Sequence, residues 1–66
     1  MATGTILREE REKRDKSQQE IANYLHIARA TYTRYENGTI TPTTDNLIKL
    51  ADLYNLSVDY LLGRKI

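Results

Sequence analysis

Apolar positions fall along the chain in short groups at helical spacing. Ile21, Ala22 and Leu25 share one face, Leu47, Leu50, Ala51 and Tyr54 make a longer stripe, and Val58, Leu61 and Leu62 make a short final one. Ahead of them, Ile6 and Leu7 open a segment, 5–14, whose remainder is almost wholly charged. A first helix is predicted there, with a small contribution to the core.

Capping residues set the boundaries of these groups. Ser17 followed three positions later by Glu20 is a capping box, so helix 2 begins at Gln18 and its pattern ends near Leu25-His26. A third helical pattern runs from about 28 to 37 and closes at Asn37-Gly38, where Gly38 is free to take the left-handed conformation. Residues 39–42 form a loop, Thr43 is the expected N-cap of helix 4, Ser57 caps a short helix 5, and Gly63 stops it.

Five helices with such short connections predict an all-α fold, a small five-helix bundle. Only residues 26–28 separate helices 2 and 3. That spacing predicts a helix-turn-helix over about 17–37, a motif whose second helix can lie in a DNA major groove.

On the wheel of helix 3, Ala28, Tyr32, Tyr35 and Glu36 gather on one side, while Arg29, Ala30, Thr33 and Arg34 gather on the other. The second face suits groove reading. Arginine can contact guanine in two places, threonine can donate, accept or touch a thymine methyl, and alanine allows close approach. An ordinary polar surface has the same composition, and the wheel alone leaves both readings open.

Composition narrows the choice of class. The chain has 66 residues, 39% hydrophobic and 29% charged, without internal repeats or low-complexity tracts, which predicts one folded domain over 1–66. Residues 64–66 are expected to be a tail, with no ligand-sensing or self-cleaving module beyond it. The absence of cysteine excludes disulfides and thiol zinc sites and fits a reducing compartment. No apolar run exceeds three residues, so neither a signal core nor a membrane span is expected, and the cytoplasm is the expected location.

The net charge of +1 is a weak footprint for a nucleic-acid binder. Charges within residues 1–16 alternate in sign, which predicts an exposed helix with pairs such as Glu9 with Lys13 and Glu12 with Lys16.

Catalysis finds little support. Ser17 and Ser57 are already explained as caps, Glu9 and Glu10 are adjacent and diverge on a helix, and the three glycines form no phosphate loop. His26, the single histidine, reads as a turn residue rather than a metal ligand or base. No metal, cofactor or small-molecule ligand is indicated. Of the five tyrosines, Tyr32, Tyr35 and Tyr60 are assigned to core packing rather than to stacking on bases, while Tyr24 and Tyr54 are the candidates for exposure.

The runs SQQEIANYLHIARATYTRYENG and LIKLADLYNLSVDYLLGR resemble the Xre/Cro-like helix-turn-helix family of phage and bacterial repressors, over about residues 6–64. The resemblance implies a lambda-repressor-like domain that binds double-stranded DNA sequence-specifically, usually as a homodimeric repressor on a palindromic operator. It implies that Arg29, Ala30, Thr33 and Arg34 face bases, that Ser17, Gln18 and Asn37 contact phosphates, and that Arg11 pairs with Glu36.

This chain also departs from the family pattern. His26 stands where the turn often has glycine, Ala28 where a capping serine or threonine is common, and Glu10 and Lys16 where leucine is usual, which weakens the expected packing of helix 1. A homodimer would be held by Leu56, Val58, Leu61, Leu62 and Ile66, which supply more apolar surface than one short helix buries, and two reading helices would then stand about 34 Å apart. The alternative is a protein-interaction module, such as a DNA-binding antitoxin or a former repressor that now binds a protein partner.

Overall fold

A computed structural model describes residues 3–63, and the expected interface residue Ile66 lies outside them. Among the described residues five helices follow one another: α1 Thr3–Lys13, α2 Gln18–Leu25, α3 Arg29–Asn37, α4 Thr44–Tyr54 and α5 Val58–Leu61. The fold is all-α, with no strand among the described residues.

The caps act as the side-chain chemistry dictates. Ser17 Oγ accepts the Glu20 N–H at 3.1 Å while the Glu20 carboxylate accepts the Ser17 N–H at 2.9 Å. Thr43 Oγ1 accepts the Asn46 N–H and Ser57 Oγ accepts the Tyr60 N–H, so three helix starts have an otherwise unpaired donor satisfied. Ala28, the N-cap of α3, provides no such bond.

One closing device recurs at the other ends. Asp15, His26, Gly38 and Asn55 all take the left-handed conformation just past α1, α2, α3 and α4. The next amides, those of Lys16, Ile27, Thr39 and Leu56, reach back to the carbonyls of Arg11, Ala22, Arg34 and Ala51. Only one of the four residues is glycine. The helix-turn-helix turn therefore keeps its sharp form with His26 at φ 58°, and the non-glycine residue is held in the left-handed region instead of displacing the turn.

Ile21, Ala22, Leu25, Tyr32, Leu50 and Tyr54 meet at the centre of one core, joined by Ile6 and Leu7. Helix 1 contributes more than its charged sequence suggests, because Gly4 lets it lie directly on the end of α3. A Cβ on Gly4 would run into the carbonyls of Tyr35 and Glu36.

Several expectations are corrected. Glu10 is not an exposed replacement for an apolar residue. It is 4% exposed and accepts hydrogen bonds from Arg14 at 2.9 Å and Lys13 at 3.0 Å. Arg14 also stacks over the Tyr54 ring at 4.6 Å and donates to the Tyr54 carbonyl at 2.9 Å, closing the end of α4. Lys13 thus pairs with Glu10 rather than Glu9. Because α1 ends at Lys13, Lys16 lies off the helix, 4.0 Å from Glu20 rather than beside Glu12.

The tyrosine assignments also change. Tyr54 is 2% exposed and lies in the core, whereas Tyr60 is 46% exposed. Tyr60 belongs to a helix of four residues, too short to turn more than one side inward, and Leu61 takes that side. Ala28 is exposed rather than part of the inner face of α3, since it precedes the first helical turn.

Candidate nucleic-acid interface

Helix α3 presents two different faces because one of them is held in place. Tyr32 and Tyr35 are buried, with their rings edge to face at 6.1 Å, and Asn46 donates to the Tyr35 hydroxyl at 2.9 Å. Glu36 completes the inner face. Arg11 Nε donates to its Oε2 at 2.7 Å and Gln18 Nε2 to its Oε1 at 3.0 Å, so α1 and α2 both fasten α3 by the same carboxylate.

Burial alone would raise the Glu36 pKa, but the hydrogen bonds and charge beside it, Arg11 foremost, outweigh that and hold it below the ordinary carboxylate value. The same pair raises the Arg11 pKa. The nearby hydroxyls of Tyr32 and Tyr54 are buried without a well-formed hydrogen bond among the described residues, and burial pushes the Tyr32 pKa well up.

The outer face of α3 carries Arg29, Ala30 and Arg34, all exposed, with Thr33 half-buried between them. Neither guanidinium is paired with another described residue. Thr33 differs, since its hydroxyl lies 2.9 Å from Gln18 Oε1 and 3.0 Å from the Arg29 carbonyl.

Of the residues assigned to phosphate, Ser17 and Gln18 stand at the start of α2 and Asn37 at the end of α3, exposed. The Ser17 oxygen is engaged in the cap, and both ends of the Gln18 amide are bonded within the protein. A primary amide keeps a second N–H, so Gln18 still has one donor to offer outward.

The candidate dimer residues divide. Leu61 is 0% exposed and belongs to the protein's own core, which removes it from any interface. Leu56 and Val58 are half-buried against that core, and Leu62 is exposed.

Sequence reasoning missed the bond between Gln18 and Thr33, the close approach at Gly4, and the Glu10–Arg14 pairing. A glycine inside a helical stretch and an Arg four residues after a Glu were the available signals for the last two. Nothing local marks the first.

The architecture matches a solved structure of the P22 c2 repressor in complex with a synthetic operator, with a TM-score of 0.90 over 98% of each chain. The sequence identity is 23%, so that likeness concerns the fold. Among curated proteins, the chain is 44% identical to the HTH-type transcriptional regulator ImmR of Bacillus subtilis over 97% of its own length and 50% of the relative's. It is 38% identical to the cryptic phage CTXphi transcriptional repressor RstR of Vibrio cholerae over 88% of its own length and 52% of the relative's. The chain thus spans about half the length of these relatives. The family model described as helix-turn-helix matches residues 7–61, nearly the whole of the described structure, and the chain belongs to that family.

Proposed function

We propose that this chain binds a specific double-stranded DNA sequence by laying α3 into the major groove, and that it serves as a transcriptional repressor. The observation that carries this reading is the two-faced α3. Its inner side is fastened by Glu36, while Arg29, Ala30 and Arg34 project from the other, with neither guanidinium paired among the described residues. The relatives named as transcriptional regulators and repressors support it.

Phosphates meet Gln18 through its remaining amide N–H, Ser17 and the start of α2, where the first backbone N–H groups favour anions, and Asn37 at the end of α3. The role is binding without catalysis, in the cytoplasm. A homodimer on a palindromic site completes the proposal, with Leu62 at the contact and Leu56 and Val58 beneath it.

Selection of bound duplexes from a random pool tests this directly. The expected result is a palindromic site whose guanine preference relaxes in Arg29→Ala and Arg34→Ala, each losing roughly 1–3 kcal/mol of discrimination. Enrichment of no sequence, at low salt as well as physiological salt, would overturn the reading in favour of a protein partner.

A further inference from the structure

Thr33 stands among the proposed base-reading residues, yet its hydroxyl is already engaged inside the protein. Oγ1 has two oxygens beside it, Gln18 Oε1 at 2.9 Å and the Arg29 carbonyl at 3.0 Å. A hydroxyl has one hydrogen and two lone pairs, and a carbonyl oxygen only accepts. The Thr33 hydrogen is therefore shared between two internal acceptors.

The polarity of this arrangement is set from deeper in the fold. The Gln18 amide could face Thr33 with either its oxygen or its NH2 group, and the surrounding network decides between them. Its other end lies 3.0 Å from Glu36 Oε1. Glu36 is paired with Arg11 through two contacts, at 2.7 and 3.2 Å, and arginine is always charged, so Glu36 is a carboxylate and can only accept. The Gln18 NH2 must point at Glu36, because the reversed amide would set oxygen against oxygen. Its carbonyl then points at Thr33.

We propose that Thr33 reads DNA only as a hydrogen-bond acceptor and through its methyl group, because the Arg29 carbonyl and the Gln18 carbonyl, the latter aimed by the chain Arg11–Glu36–Gln18, together keep its one hydrogen inside the protein. Free threonine on a reading helix is ambiguous, able to donate or accept. Here the choice is made. In the major groove, adenine N6 and cytosine N4 offer donors and thymine offers a methyl, while guanine N7 and O6 and thymine O4 are acceptors. Thr33 favours a position that presents an amine or a methyl and gains nothing from one that presents acceptors alone. Gln18 and Glu36 act as positioning residues for specificity. This inference rests on the proposal that α3 reads DNA.

The test uses the duplex selected by the unaltered protein. The base pair whose preference relaxes in Thr33→Ala is the one that Thr33 faces. Single-group changes at that pair follow: uracil for thymine removes the methyl, purine for adenine removes the amine, and deazapurines lacking N7 remove an acceptor. Loss of the amine or methyl is expected to weaken binding roughly fivefold and loss of N7 to change it less than about twofold. In Thr33→Val the penalty for losing an amine disappears.

A second readout needs no DNA. By NMR of the folded chain, Gln18→Met is expected to speed exchange of the Thr33 hydroxyl proton severalfold. Unchanged exchange overturns the hold by Gln18. Intact duplex binding with a penalty for lost N7, or with no penalty from any change, overturns the polarity alone. Failure of the unaltered protein to bind any duplex removes the DNA reading itself.

Discussion

The Arg11 guanidinium meets the Glu36 carboxylate at two points, Nε to Oε2 at 2.7 Å and Nη2 to Oε1 at 3.2 Å, so that α1 holds the last turn of α3. The remaining nitrogen of Arg11 donates to the Lys16 carbonyl at 2.8 Å and ties down the turn before α2. One arginine thus relates the first three helices. Its partner is buried, and a buried carboxylate pair loses most when one member is removed and the other is left uncompensated.

Glu36→Ala is accordingly expected to destabilise the domain by about 3–5 kcal/mol. Glu12→Ala removes only an exposed carboxylate 3.9 Å from Arg11 and should cost less than about 1 kcal/mol. Thermal melts of the two variants decide the matter, and equal midpoints would refute the role of the buried pair.

The pH dependence follows from the same groups. Glu36 and Glu10 both have pKa values held below the ordinary 4.5, in each case against the opposing effect of burial, by Arg11 and Gln18 beside Glu36 and by Arg14 and Lys13 beside Glu10. A depressed carboxyl contributes stability that is complete above its unfolded pKa and is lost as pH falls through the folded one. Denaturant midpoints should be level above pH 4.5 and fall below it. In Glu36→Gln that fall should be shallower. An unaltered slope would place the acid sensitivity elsewhere.

Gly4 lies against the carbonyls of Tyr35 and Glu36, where backbone cannot yield as a side chain would. Gly4→Ala should push α1 away from α3 and cost at least about 1–3 kcal/mol, although alanine is the better helix former by about 1 kcal/mol. Chemical denaturation measures the sign directly, and a stabilised variant would show that the helices do not need this approach.

Two substitutions in the helix-turn-helix should instead raise stability. Ala28→Ser gives α3 the side-chain cap it lacks, worth about 0.5–2 kcal/mol. His26→Gly relieves a left-handed residue at φ 58° and is expected to gain about 0.5–1 kcal/mol. The two changes flank the same turn, so a double variant tests whether they add. A lower melting midpoint for either one would mean that the present residue makes a contact the alanine or histidine geometry does not reveal.

The amino-acid sequence by itself determined the number of helices and most of their ends, because capping is settled within a few residues. Ser17, Thr43, Ser57 and Gly38 needed only their near neighbours to act. It also determined which side of α3 faces outward, through the spacing of Tyr32, Tyr35 and Glu36.

Tertiary structure decided what each charged or aromatic group meets across the fold. Arg14 and Tyr54 are joined although 40 positions apart, which buries that tyrosine while Tyr60 is left outside. Gln18 and Thr33 are 15 positions apart, and only the crossing of α2 and α3 adds the Gln18 carbonyl to the Arg29 carbonyl that the hydroxyl meets within its own helix. Helical periodicity assigns a side chain to a face, whereas its hydrogen-bond partner is assigned by whichever helix packs there.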